Sequence, residues 1–166
     1  MPDTVAPQTP LSERLKSFDG FLERLAKEYG MPTLDLVRHL PEGAAKIVSG
    51  DLLVEILKDV AEWGAILFIT EGKAIISGTS TEMPQVFHKD GYYHFFGTNG
   101  FGGHIKDDGC KNIAFIERHF QNRNSRSIHF YDQDGEPMFK IFVSRELSGD
   151  MNAEQVERWR NLRQRV

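Results

Sequence analysis

Cysteine is all but missing. Cys110 is the sole thiol among 166 residues, which excludes an internal disulfide and every multi-cysteine metal motif. A basic surplus is missing too: the formal net charge is −4, whereas a dedicated nucleic-acid binder normally carries excess Lys and Arg. No apolar run approaches the roughly 18 residues of a membrane span. Residues Met1–Pro10 have neither the basic start nor the apolar stretch of a secretory leader. The chain contains no GxSxG, P-loop, HExxH, CxxC or CxxCH motif, and no GxGxxG at a strand-to-helix turn, so the commonest hydrolase, nucleotide, zinc and haem-attachment signatures are all unavailable. These absences leave the expectation of a soluble protein in a reducing compartment, with no membrane partner and poor provision for nucleic acid.

What remains is a chain of domain size, long enough to bury roughly 70% of its unfolded surface. It is rich in Phe (12), Gly (15) and His (6). Residues 1–10, with Pro2, Pro7 and Pro10, read as a disordered arm, and residues 11–166 as a single domain. Within it, 11–63 is helical. Leu11, Leu15 and Phe18 share one face, followed by Leu22, Leu25 and Tyr29 up to Gly30. Thr33 is placed to cap a helix carrying Leu36, Val37 and Leu40, and Asp51 to cap one carrying Leu53, Ile56, Leu57 and Val60. From Gly64 to residue 146 the period becomes two. Strands are expected at Ala65–Thr70, Lys73–Ser77, Val86–His88, Tyr92–Phe96, Ile113–Phe120, Ser127–Tyr131 and Met138–Val143, with turns such as Asp90-Gly91 and Asp134-Gly135 between them. Such short separators favour hairpins. Residues 150–166 form a last helix, with Val156, Trp159 and Leu162 facing the sheet. The order gives an α+β fold with a mostly antiparallel sheet.

The densest chemistry lies in GYYHFFGTNGFGGH, Gly91 to His104. Strand alternation puts Tyr92, His94 and Phe96 on one face and Tyr93 and Phe95 on the other. Gly100, Gly102 and Gly103 leave bare backbone before His104, which would let a large flat ligand lie close while aromatic rings stack on it. A phenol or imidazole at the rim is a suitable axial ligand for iron. Ordinary hairpin glycines and a half-buried aromatic strand give the same pattern. His104 is equally readable as a turn residue, His88 as solvated, and His94 as a support for Tyr92. His119 has Glu117 as a natural partner, and His39 suits a helix C-terminus. Arg118, Lys106, Lys111, Arg123, Arg126 and Lys140 are available to carboxylates, and each alone also reads as solvated surface. Residues 25–40 have the outline of a helix-turn-helix, but only Arg38 and His39 could meet DNA.

Four ordered blocks carry a family resemblance: EWG at Glu62–Gly64, GYYHFFGTNGFGGHI at Gly91–Ile105, CKNIAFIERHF at Cys110–Phe120 and MFKIFVSRE at Met138–Glu146. Together with LAKEYG and VRHLP before them, they resemble the intracellular haem-carrier family of the HutX/ChuX type, over nearly the whole chain after about residue 12. The resemblance implies a cytoplasmic protein that is not an enzyme. Such a protein binds imported haem as cargo and passes it to a haem-degrading partner. It implies a fold like one half of the two-repeat HemS-type proteins, and a homodimer. The family's GY tyrosine falls on Tyr92 and its GHI histidine on His104, the two candidate iron ligands. Tyr93, Phe95, Phe101 and Gly103 are candidate haem contacts, with Arg118 or Lys106 for the carboxylates. A second histidine of some relatives falls on Glu71, a position often Asn is His94, and the loop after the ERxF block reads QNRNSRS. The alternatives are an enzyme that opens or reduces the tetrapyrrole and, further off, a helix-turn-helix regulator.

Overall fold

The computed structural model describes residues 9–166, so the expected arm lies outside it except for Thr9 and Pro10. Three short helices, α1 (Leu11–Leu15), α2 (Leu22–Glu28) and α3 (Thr33–Val37), come first. Strand β1 (Ala45–Ser49) and a 3-10 turn (Gly50–Leu52) lead into α4 (Leu53–Val60). Then come β2 (Ala65–Glu71), β3 (Ile76–Glu82), β4 (Val86–Lys89), β5 (Tyr92–Phe96), β6 (Gly102–Lys106), β7 (Asn112–Phe120), β8 (Arg123–Tyr131) and β9 (Pro137–Phe142), and the chain closes with α5 (Ala153–Arg165). A six-stranded sheet has the order β1-β7-β8-β9-β2-β3, and a three-stranded sheet the order β4-β5-β6. Every strand pairing among the described residues is antiparallel, as hairpin-length separators require.

The large sheet is buried on both faces at its centre, which is why Ile113–Ile116 reads as an unbroken apolar run rather than an alternation. One face meets α4, α5 and the small sheet through Ile113, Phe115, Ile128, Phe130, Phe139, Trp159 and Leu162. The other meets α1–α3 through Ala114, Ile116 and Tyr131. Phe68 of β2 joins the two sheets, its ring 4.9 Å from Phe101 and 6.3 Å from Phe95. Gln155 fastens α5, donating to the carbonyls of Trp63 and Ala65 and accepting from the Ser144 N–H. The basic tail of α5 is spent internally: Arg158 meets Glu154, Arg160 meets Glu157 and Arg165 meets Asp59.

Several expectations need correction. Two strands went unread: β1, set between helices, and β6, whose Gly102-Gly103 start has low strand propensity. The strand expected at Lys73–Ser77 begins at Ile76 and continues through the polar SGTSTE segment, because it is a solvated edge. The QNRNSRS stretch is no loop. Gln121 and Asn122, at φ 48° and 62°, make a tight turn, and Arg123–Ser127 already belong to β8. Neither Thr33 nor Asp51 caps. Thr33 donates to Glu136 Oε2 (2.9 Å), and the Asp51 N–H donates to the Ser49 hydroxyl. The last helix, expected from residue 150, begins at Ala153, with Asn152 capping it by accepting from the Gln155 N–H. Glu117 accepts from Arg126 rather than pairing with His119. The helix-turn-helix outline is a buried hairpin: α3 is five residues long with four of them inaccessible, leaving no face to read a groove. No described helix is long and apolar enough to cross a membrane.

Candidate functional site

The small sheet owes its composition to one turn. Asp90 and Gly91 both sit at positive φ (52° and 80°), the conformation of a two-residue hairpin whose twist matches its strands. That turn sets Lys89 opposite Tyr92 and Phe87 opposite His94. On the other side of β5, Lys106 faces Tyr92, His104 faces His94 and Gly102 faces Phe96. Because side chains alternate, the face turned away from the core is a small grid. Its first row is Lys89–Tyr92–Lys106, its second Phe87–His94–His104, and its third Phe96 beside the bare Gly102. The opposite face, with Phe95 and Ile105, is buried.

This outer face is strongly aromatic and open. Phe87 is 52% exposed, Phe96 60% and Tyr92 39%. Exposed aromatic side chains gathered on one face make it a candidate binding surface. The rings hold one another. His94 stacks on Phe87 at 5.1 Å, and His104 lies edge-on to His94 (4.8 Å), Phe96 (5.5 Å) and Tyr92 (6.3 Å). Tyr92 and His104 therefore rise from the same side of the same sheet. The two lysines flanking Tyr92 gather positive charge at that end of the face.

Behind β6 lies a cavity of about 740 Å³ between the small sheet and the large one, within the range of small-molecule sites. Phe95, Phe101, Gly103, His104 and Lys106 line it, with Phe68, Met138 and Phe139 opposite. β6 is thus shared: its outer side belongs to the grid, and its backbone and inner side to the cavity.

The structure sorts the sequence-predicted residues into groups. Tyr92, His104 and Lys106 come together on the outer face. Phe95, Phe101 and Gly103 come together on the inner side at the cavity. Phe95 is a core residue (5% exposed). A Cβ at Gly103 would stand 2.9 Å from the Phe95 ring, so the chain's own packing already requires that glycine. Tyr93 also points inward, its ring 5.1 Å from His88, and His88 is paired with Asp107 at 2.9 Å. Arg118 is not brought to either group. It lies on β7 of the large sheet, donates to the Phe18 carbonyl at 2.9 Å and sits over the Phe18 and Phe120 rings, and burial lowers its pKa. His94, expected to support Tyr92, bonds to His104 instead. Phe87 and Lys89 were missed altogether. The Asp90-Gly91 signal for a two-residue turn contained the register that places them.

A second polar group lies on the large sheet under α2. Lys140, 5% exposed, donates to Glu23 and to Glu71 (3.0 Å). Burial, then the nearby Glu23 charge, raises the Glu71 pKa. His129 is fully enclosed between Ser127 and Tyr131, and burial first, then Lys140 and Arg118, holds its pKa well below the ordinary 6.5. This group latches α2 to the sheet. Cys110 is a structural thiol, pushed up to about 12 by burial despite its Lys111 neighbour. Among the described residues, no group of three or more His, Cys, Asp or Glu could hold a metal ion.

Residues 46–162 match the family described as Haem utilisation ChuX/HutX. The chain is 30% identical over 145 residues to the intracellular heme transport protein HutX of Vibrio cholerae, covering 84% of this chain and 73% of that one. It superimposes on the structure of the heme-binding protein ChuX with a TM-score of 0.86 at 35% identity, covering 94% and 98% of the two chains. The heme-degrading enzyme ChuS of Escherichia coli O157:H7 shares the fold alone. At 12% identity and a TM-score of 0.76, 95% of this chain spans 49% of that protein, the half-length relation expected of the fold.

Proposed function

Since the chain belongs to the haem utilisation ChuX/HutX family, we propose that it is a haem carrier. It holds haem as cargo on the outer face of β4-β5-β6 and gives it up to a haem-degrading partner inside the cell. The observation that carries this reading is the grid itself. It combines an exposed aromatic surface, a phenol (Tyr92) and an imidazole (His104) on neighbouring strands, and a lysine on either side of Tyr92.

Each part of the grid suits a part of haem. Phe87 and Phe96 are both more than half exposed, and covering them with the porphyrin is worth roughly 1–2 kcal/mol per ring. Tyr92 or His104 takes the iron. A phenolate suits ferric iron, and iron itself lowers the phenol pKa. Lys89 and Lys106 receive the two carboxylates, which turns the polar edge of haem toward their end and its apolar edge toward Phe96 and Gly102. Ligation from one side holds haem against loss yet leaves its other side open for an acceptor, which is what a carrier needs. In this reading two copies pair as a homodimer, and the chain is a carrier rather than a catalyst.

The test is a haem titration of the purified protein followed in the Soret region, with Tyr92→Phe and His104→Ala alongside. Saturable binding by the wild type, weakened in one of the two variants, supports the reading. A wild-type chain that shows no specific Soret shift, or binding unchanged in both variants, overturns it.

A further inference from the structure

His94 and His104 face each other across β5 and β6, and their Nδ1 atoms are 2.7 Å apart. At the far edge of His94, Nε2 lies 2.9 Å from the Lys89 carbonyl. These two distances decide where the protons are. A carbonyl oxygen only accepts, so Nε2 of His94 carries its hydrogen and donates it to Lys89. In the neutral ring, Nδ1 of His94 is then the acceptor. The hydrogen in the 2.7 Å contact must therefore belong to Nδ1 of His104. A neutral imidazole has one N–H, so Nε2 of His104 is left as a bare lone pair.

We infer that His94 is a positioning residue: the chain Lys89 carbonyl–His94–His104 fixes the His104 tautomer so that Nε2 is presented as a metal ligand. Its use for iron rests on the haem reading above, but the proton arrangement does not. The support is built from the fold. The Asp90-Gly91 turn places the Lys89 carbonyl within reach of the His94 edge, and Phe87 stacks on the His94 ring with an interplanar angle of 18°, holding its plane. This is the arrangement seen around metal-binding histidines, whose second nitrogen donates to a fixed acceptor that orients the ring and raises its basicity. Here the acceptor is a second imidazole, itself fixed by the main chain.

Two substitutions separate the parts. Asn carries Oδ1 at the same branch position as Nδ1 of His, so His94→Asn keeps an acceptor for His104. His94→Phe keeps the ring and its stacking but removes the acceptor. The first readout is nitrogen-15 NMR of the ligand-free protein at about pH 8.5, where a neutral ring reports its tautomer directly. The wild type and His94→Asn should show His104 with a protonated Nδ1 and a bare Nε2, and His94→Phe should lose that preference. A wild-type His104 protonated on Nε2 would overturn the inference, whatever the protein does with haem. The second readout is haem affinity. Loss of such a support typically weakens metal binding roughly ten- to a hundredfold. His94→Phe should fall in that range toward His104→Ala, and His94→Asn should recover most of the loss. Equal affinity in wild type and His94→Phe would overturn the role toward iron. Failure of the wild type to bind haem, with the NMR result intact, would sink the proposed function while leaving the tautomer assignment standing.

Discussion

His129 gives the sharpest test of the energetics. Its ring is enclosed on β8, with Ser127 Oγ 2.9 Å from Nε2 and the Tyr131 hydroxyl 3.3 Å from Nδ1. Burial, with Lys140 and Arg118 nearby, holds its folded pKa well below 6.5. In the unfolded chain it titrates near the ordinary value, so below about pH 6.5 the unfolded state binds one proton more than the folded state. The stability that a neutral His129 contributes is therefore complete above that pH and is lost as pH falls, at a limiting slope of about 1.4 kcal/mol per pH unit. Between pH 7.5 and 5.0 the loss has a ceiling of about 2 kcal/mol, set by the unfolded-state titration alone. Glu71 acts in the opposite sense, because its folded pKa is raised above 4.5, so it favours the folded state as pH falls through that value. The assay is urea unfolding of wild type and His129→Gln at pH 7.5, 6.0 and 5.0. Glu71 is common to both chains and drops out of the difference. The wild type's advantage over the variant should shrink as pH falls across the range, by no more than about 2 kcal/mol. An advantage that stays constant with pH would refute the assignment of a neutral, proton-excluding His129.

Two further perturbations address the fold. Gly50 lies against the β7 entry, where a Cβ would stand 2.1 Å from the Cys110 carbonyl oxygen, a backbone atom that cannot turn aside. Gly50→Ala should cost about 2 kcal/mol or more, read as a lowered melting temperature, and an unchanged melt would show that the 3-10 turn yields freely. Lys140→Met leaves Glu23 and Glu71 without their cation. It should lose about 3 kcal/mol at pH 7.5 and recover part of that at pH 5 as the Glu71 carboxyl, whose pKa is raised by burial, takes up a proton. Equal losses at the two pH values would contradict the pairing.

Much of the fold was legible because pattern and environment agreed. Tyr92–Phe96 was read with its true ends, since its alternation and its Asp90-Gly91 turn are both unambiguous. Trp159 and Leu162 were placed facing the sheet because α5 keeps a helical period. The misses have physical causes. Glycines at the start of β6 contribute no side chain to a pattern, and their strand character comes from pairing with Phe95 and Phe96. The edge strand β3 is polar because solvent, not core, meets it. At the site, strand alternation already set Phe95 on the face opposite Tyr92, but the sequence could not say that a cavity lies behind that face, lined also by Phe101, or that Arg118 is tied to Phe18. A residue's face is local information, whereas what lies above that face is tertiary.

The two-residue turn at Asp90-Gly91 has a consequence for how this surface can change over time. Because the grid is written in strand register, one inserted or deleted residue there would turn Phe95 outward and send Tyr92 and His94 into the interior in a single event. A substitution at an exposed position of the sheet changes one side chain, whereas a change in the length of that connection changes the whole face. Descendants of this chain should therefore vary in what the platform displays long before they vary in the count of residues that joins its first two strands.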